Sequence, residues 1–162
     1  AIFQFYLNEH ADGAYYDEAR AHFEQLEAQK LTPEDRQQVI QLFTTYFNAI
    51  AQKDENALSL TLEPVLRSFL HRSNATKDDV QQYMYKMHEE DITNMKFTPN
   101  NDWEIEKNDL GEGRYTYNVR FSVAQHIERT DEDRETSAVF RITAMVSPDG
   151  RISELNMKRS VQ

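Results

Sequence analysis

The hydrophobic period of this chain changes just past its midpoint, and that change limits the folds open to it. Before Asp91 the apolar residues recur every three or four positions, as on one face of an α-helix. After Asp91 they alternate with polar residues, as in a strand with one buried face. Helices followed by strands are typical of an α+β domain, in which helices cover one face of an antiparallel sheet.

The first half predicts three helices. The clearest begins at Thr32, whose side chain can cap it, with Pro33 at the first helical position. Its apolar stripe is wide enough to need a sheet as cover and consists of Val39, Leu42, Phe43, Tyr46, Phe47 and Ile50. The segment DENALSLTL predicts a short second helix, and a short strand or extended segment follows Pro64. Thr76 caps the third helix. The predicted buried face of this third helix is formed by Val80, Tyr83, Met84 and Met87.

The second half predicts four strands joined as an antiparallel meander. The segment WEIEK places Trp103 and Ile105 on one side and Glu104 and Glu106 on the other. Three longer strands follow in RYTYNVRFSVAQHIER, TSAVFRITAMVS and RISELNMKRSV, with turns at NDLGEG, RTDEDRE and PDG between them. The apolar residues of the last strand break strict alternation, which indicates a β-bulge.

One domain at residues 32–162 contains these elements, and residues 1–31 form an N-terminal extension. A further helix is predicted in that extension from apolar residues at helical spacing, namely Tyr15, Ala19, Phe23 and Leu26. The sequence leaves the localisation open. One interpretation is the extracytoplasmic soluble part of a longer bacterial protein, with no direct membrane insertion of this part, since no stretch reaches a membrane-spanning length.

The composition argues against several classes of partner. The net charge is −10 and no dense stripe of Lys and Arg is present, which argues against nucleic acid or an anionic membrane surface. The absence of cysteine excludes disulfides and thiolate metal sites. The five histidines show no metal-ligand spacing, so the sequence predicts no metal and no cofactor.

From about residue 32 to residue 162 the chain resembles the nuclear transport factor 2-like superfamily, which includes ketosteroid isomerase and SnoaL-like proteins. The resemblance rests on the element order and on three segments, FNAIAQKDENALSL, LEPVLRSFLHRSNATKDDV and RITAMVSPDGRISELNM. It implies a strongly curved antiparallel sheet wrapped around three helices as a cone, often with a pocket at its open end. It also implies frequent dimers through the sheet, and functions that range from isomerases and dehydratases to pure binding modules.

Isomerases of this superfamily place a carboxylate base and a phenol or neutral acid in an apolar cavity. The candidates to line such a pocket are Tyr46, Tyr83, Trp103 and Tyr117. Tyr46 lies on the apolar stripe of the long helix and would supply a phenol. The competing interpretation is a core tyrosine whose hydroxyl bonds to the backbone. No Asp or Glu falls on the apolar face of the predicted strands, so no catalytic residue is assigned.

This gap favours a non-catalytic ligand-binding or protein-interaction and dimerisation domain with a cone-shaped pocket. The alternative is a small isomerase or dehydratase acting on a hydrophobic small molecule in the cone. A homodimer through the sheet is expected, because Val139 and Met145 lie beside Arg141 and Thr143 on the face turned away from the helices. A carboxylate in the cone near a tyrosine or histidine would favour the enzyme. A cone filled by Phe, Met and Leu would favour the binding module.

Overall fold

The computed structural model describes residues 30–160, which form three helices and one curved, unclosed sheet of seven strands. The helices are α1 (Pro33–Gln52), α2 (Glu55–Thr61) and α3 (Lys77–Met87). The strands are β1 (Val65–Phe69), β2 (Arg72–Thr76), β3 (Ile92–Pro99), β4 (Glu104–Gly111), β5 (Arg114–Arg129), β6 (Ser137–Val146) and β7 (Ile152–Arg159). The helix predicted around Tyr15 and Leu26 lies outside the described residues.

The strand order is β2-β1-β7-β6-β5-β3, and β4 also pairs with β5. The predicted meander from β4 to β7 is confirmed, since each of its three pairs is antiparallel. The prediction of a wholly antiparallel sheet is wrong at one place, because β1 runs parallel to β7, with Ser68 opposite Glu154. Local periodicity carries no information on this pairing, which joins residues far apart in the chain.

Strand β5 organises the curvature of the sheet. Its first half pairs with β4, where Arg120 lies opposite Glu104, and its second half pairs with β3, where Val123 lies opposite Pro99. On its other side β5 pairs with β6 along ten successive register positions. One long strand therefore carries three neighbours, β6 on one side and first β4 and then β3 on the other.

Both predicted helix caps are confirmed. The Thr32 hydroxyl accepts a hydrogen bond from the Asp35 amide at 3.0 Å, and the Asp35 carboxylate accepts one from the Thr32 amide at 3.0 Å. Thr76 and Asp79 form the same reciprocal box at the start of α3. These boxes satisfy amides that the first turn of a helix leaves without partners, so the sequence itself fixes where α1 and α3 begin.

The core lies between α1 and one face of the sheet, here called the inner face. The apolar stripe of α1 packs against it, and every predicted member of the stripe is buried except Leu42, which is half-buried. The inner face contributes alternating residues of β5 and β6, namely Val119, Phe121, Val123, Ile142, Ala144 and Val146. The opposite side, here called the outer face, carries Arg120, Ser122, Arg141 and Thr143.

Two strands escaped the sequence analysis. In β2 only Ala75 is buried, and the turn before it places Leu70 and His71 at positive φ angles of 50° and 69°. In β3 the buried residues Met95 and Phe97 alternate correctly, but a register shift after Ile92 breaks the pattern. The predicted bulge in the last strand is confirmed, because the β6–β7 register shifts between Met145 and Val146. No helix within residues 30–160 is both long enough and apolar enough to span a bilayer.

Candidate functional site

The interior of the cone is filled by an aromatic cluster formed by Phe43, Phe47, Phe97, Trp103 and Phe121, all of them buried. Trp103 stacks on Phe121 with 3.9 Å between ring centroids, and Phe43 meets Phe121 edge-on at 5.4 Å. Phe47 lies 5.0 Å from Phe97. These rings are in direct contact and form the aromatic part of the core between α1 and the inner face.

Tyr46 and Tyr83, two of the predicted pocket residues, lie close together beside the aromatic cluster. Tyr46 is buried and packs edge-on against Phe47 at 4.9 Å. Its hydroxyl has no hydrogen-bond partner among the described residues, so the expected backbone partner is not found there. Burial, and then the nearby phenol of Tyr83, raise the pKa of Tyr46 well above its usual value. Burial also raises the pKa of Tyr83 to about 12, so both phenols stay neutral at physiological pH.

Tyr117, the fourth predicted residue, lies apart from these two, in a polar cluster at the start of α1. Its hydroxyl donates to Asp35 Oδ1 at 2.7 Å, and Lys107 Nζ donates to Asp35 Oδ2 at 2.9 Å. The ammonium of Lys107 also lies 4.1 Å from the centroid of the Tyr115 ring. The side chains of Lys107 and Asp35 are only 8% and 15% exposed. The polar cluster of Asp35, Lys107, Tyr115 and Tyr117 therefore ties α1 to β4 and β5.

Asp35 is a carboxylate within reach of a tyrosine, yet its chemistry does not suit a general base. Burial alone would raise its pKa. The hydrogen bonds from the Thr32 amide, Lys107, Tyr117 and the Thr32 hydroxyl outweigh burial and lower the pKa to about 2. A base with so low a pKa takes up protons poorly at neutral pH, because general bases work best with a pKa near the working pH. The geometry of Asp35 is that of a structural anchor.

One feature of the sequence points to this polar cluster. Trp103, Ile105 and Lys107 alternate along β4, so a lysine occupies a position on the apolar side of the strand. A buried lysine needs a carboxylate partner. The pairing of Asp35 with Lys107, 72 positions apart in the chain, cannot be deduced from either local pattern.

Metal ligation is not supported in the part of the chain from residue 30 to residue 160, where no group of three or more His, Asp or Glu side chains could hold an ion. His126 and Glu128 are both exposed on β5, and His126 Nδ1 lies 3.3 Å from the hydroxyl of Ser137. His88 ends α3 and its Nε2 lies 2.7 Å from the carbonyl oxygen of Ile50, which links α3 to α1.

Among the clefts of the described residues are a central cleft and a terminal cleft, both lined by strands of the sheet. The central cleft has a volume of about 360 Å³ and is lined mainly by polar residues, namely Asp102, Glu104, Arg120, Ser122, Arg141 and Thr143. The terminal cleft has a volume of about 510 Å³ and lies where β7 ends beside β6. Its lining includes Ala124, His126, Glu135, Ser137, Ala138, Val139 and Arg159. Sequence analysis predicted neither cleft, because each combines residues from several strands.

On one side of the central cleft, Ser122 is hydrogen-bonded to Asp102. Asp102 accepts hydrogen bonds from the Ser122 amide at 2.8 Å and from the Ser122 hydroxyl at 2.6 Å. Burial would raise the pKa of Asp102, but these bonds and the charge of Arg141 lower it below its usual value. Asp102 is therefore ionised at neutral pH. Its hydrogen bonds to Ser122 connect the turn between β3 and β4 to the centre of β5.

Comparison of the sequence with family models and with curated proteins found no match. Comparison of the structure with solved structures did find similar proteins. Hexachlorocyclohexane dehydrochlorinase LinA-type3 from Novosphingobium barchaimii LL02 aligns with a TM-score of 0.62 and 10% identity, covering 79% of this chain and 88% of that one. A nuclear transport factor 2-like superfamily protein from Salmonella enterica serovar Typhimurium aligns with a TM-score of 0.61 and 10% identity, covering 78% of this chain and 91% of that one.

Identity at this level supports the fold and nothing finer. The similar structures, the curved sheet and the helix order agree with one another over most of the described residues. The chain has the nuclear transport factor 2-like fold.

Proposed function

We propose that this chain is a non-catalytic binding and interaction domain that pairs with a second copy of itself through the outer face of its sheet. The observation that carries this proposal is the aromatic cluster, which fills the cone with the chain's own side chains. Asp35, the carboxylate bonded to the predicted pocket residue Tyr117, has a pKa of about 2 and is committed to Lys107 and the cap of α1. Binding is therefore expected outside the cone.

The outer face has the mixed character of an interface between copies. Val139 and Met145 are half-buried on this face, beside the exposed Arg141. Arg141 also lies directly opposite the exposed Lys158 in the β6–β7 register. Like charges at opposing positions destabilise a sheet, and the carboxylates of a second copy, such as Glu104, would compensate them.

Met145→Asp is expected to weaken the dimer, because it would bury a charge in the interface. The dissociation constant should rise by about tenfold or more, equivalent to at least about 1.4 kcal/mol. Sedimentation velocity over a range of protein concentrations measures this constant. Leu60→Asp is the matched control, since Leu60 is 71% exposed on α2, away from the sheet. A wild-type protein that stays monomeric at all concentrations would refute the dimer.

A second candidate is a small isomerase or dehydratase that acts on a hydrophobic molecule in the cone. The observation in its favour is the Tyr46 hydroxyl, which is buried near Tyr83 without a partner among the described residues. An unpaired buried hydroxyl costs about 1–3 kcal/mol, and proteins retain such a cost where a function uses the group. This candidate requires the aromatic cluster to move aside when a substrate enters.

Trp103 distinguishes the two candidates, because it is the single tryptophan of the chain and lies in the aromatic cluster. We expect 1-anilinonaphthalene-8-sulfonate, a hydrophobic probe, to leave the Trp103 emission unchanged, since a filled cone offers the probe no space. Saturable quenching of Trp103 by the probe, weakened in a Tyr46→Phe variant that lacks the unpaired hydroxyl, would favour the enzyme. Urea unfolding curves would show that the variant is folded.

A further inference from the structure

We propose that the terminal cleft binds a small organic monocarboxylate with an apolar body, and that Arg159 receives the carboxylate. This site is separate from the interior of the cone. It shares Val139 with the proposed dimer surface, so the proposal requires that the cleft stays open in the dimer. It rests on the lining of the cleft, on the free hydrogen-bonding capacity of Arg159 and on a carboxylate of the chain that already occupies part of the site.

The lining of the terminal cleft suits a small ligand. Its volume of about 510 Å³ is within the range of small-molecule sites, roughly 300–1,000 Å³. The apolar lining comes from Ala124, Ala138 and Val139, where β5 pairs with β6. The polar groups come from Gln125, His126, Glu135, Ser137, Arg159 and Ser160. An apolar surface with a few polar groups is the usual composition of a site that binds an organic molecule.

Arg159 has capacity for a further anion. Its Nη2 lies 2.5 Å from Glu135 Oε1, and within residues 30–160 this is the single side-chain contact of its guanidinium. A guanidinium presents five donors in a planar fork that matches both oxygens of a carboxylate. The arrangement with Glu135 uses one nitrogen, whereas a free carboxylate would engage two.

Glu135 acts as a replaceable occupant of this position. The side chains of Arg159 and Glu135 are 52% and 70% exposed, and an ion pair this accessible to water contributes little to stability. Glu135 precedes β6 in the segment that joins β5 to β6, so its carboxylate can leave without breaking a strand. The chain thus already places a carboxylate against Arg159, and a ligand carboxylate would take the same place.

His126 and Ser137 provide a second polar contact. They lie opposite each other in the β5–β6 register, with 3.3 Å between Nδ1 and the serine hydroxyl. Both line the same cleft as Arg159. A ligand with a hydroxyl or carbonyl beyond its apolar body would be held at two points, which would set its direction along the cleft.

Benzoate is the probe for this site, with benzyl alcohol as its uncharged match. In amide proton–nitrogen spectra of the isotope-labelled chain, benzoate should cause saturable shifts at Ala124, Ala138 and Val139. Benzyl alcohol should bind about tenfold or more weakly, because it lacks the charge that the arginine recognises. The absence of saturable shifts with benzoate, or shifts confined to other residues, would overturn the proposal.

Three variants test the role of each group. Arg159→Gln should weaken benzoate binding by about tenfold or more. Glu135→Gln should strengthen it several-fold, because the competing carboxylate is removed. Arg67→Gln, a control at an exposed arginine of β1 outside this cleft, should leave it unchanged. Equal binding by Arg159→Gln and the wild type, or weaker binding by Glu135→Gln, would overturn the proposal.

Protein concentration provides the last test. Benzoate affinity that falls as the chain is concentrated would show that a second copy occupies the cleft, and would overturn the ligand site. Unchanged affinity supports it. Sedimentation of the same samples reports dimer formation separately, so failure of the ligand site and failure of the proposed dimer give different results.

Discussion

Replacing Phe43 by alanine is expected to lower the free energy of unfolding by about 3–5 kcal/mol. Phe43 is fully buried and contacts both Trp103, at 6.2 Å between centroids, and Phe121, at 5.4 Å. The truncation removes apolar contact and leaves a cavity that two large rings cannot easily fill. Since domains of this size are stable by only about 5–15 kcal/mol, the variant should be close to unfolding.

Urea denaturation followed by Trp103 fluorescence measures this loss directly, because the reporter lies in the same aromatic cluster. Leu110→Ala is the control, since Leu110 is exposed near the β4–β5 turn. It should change the free energy of unfolding by about 0.5 kcal/mol or less. If Phe43→Ala and Leu110→Ala had equal effects, the cone interior would not be packed as described.

Asp35→Asn is expected to lower the free energy of unfolding by about 3 kcal/mol at pH 7. The change removes the negative charge that pairs with Lys107 at 2.9 Å, and it leaves a nearly buried ammonium without compensation. Tyr117 also loses its charged acceptor. Glu34→Gln, in the same first turn but exposed, is the matched control and should cost about 0.3–1 kcal/mol through the helix dipole.

The effect of Asp35 should depend on pH in a defined direction. Its pKa in the folded chain is about 2, below the value of about 3.9 expected for the unfolded chain. A lowered pKa stabilises the folded state above the unfolded pKa, and this contribution is lost as the pH falls through the folded value. The stability difference between wild type and Asp35→Asn should thus be constant above about pH 5 and shrink between about pH 4 and pH 2. A difference that stays constant down to pH 2 would contradict this role.

Much of the fold could be predicted because local rules and global packing agree. Thr32 and Thr76 mark helix starts through their own side chains, and the stripe containing Phe43 and Phe47 required a sheet as cover. The sequence pattern did not predict β2 and β3, because local rules and packing do not agree in these two strands. In β2 a single buried alanine leaves no alternation to detect, and in β3 a register shift interrupts it.

The sites were less predictable than the fold, since each depends on residues that meet only in the folded chain. Tyr46 could be placed on the correct face of α1, but whether its hydroxyl would find a partner depended on distant elements. The pairing of Asp35 with Lys107 joins a helix start to a strand, and each residue has a sufficient local explanation of its own. The terminal cleft is lined by residues from β5, β6, β7 and a connecting segment, so the sequence of one segment alone cannot predict it.

The parallel pairing of β1 with β7 affects how this protein is made. Phe69 lies opposite Leu155, and among the strands of residues 30–160 it is β7 that pairs with this edge of β1. During translation the hairpin must wait until β7 has left the ribosome, with its hydrophobic side unprotected. Closing so long a loop is slow, and the nascent chain is open to aggregation throughout that interval. The topology of the sheet thus predicts that the β1–β2 hairpin completes its pairing last.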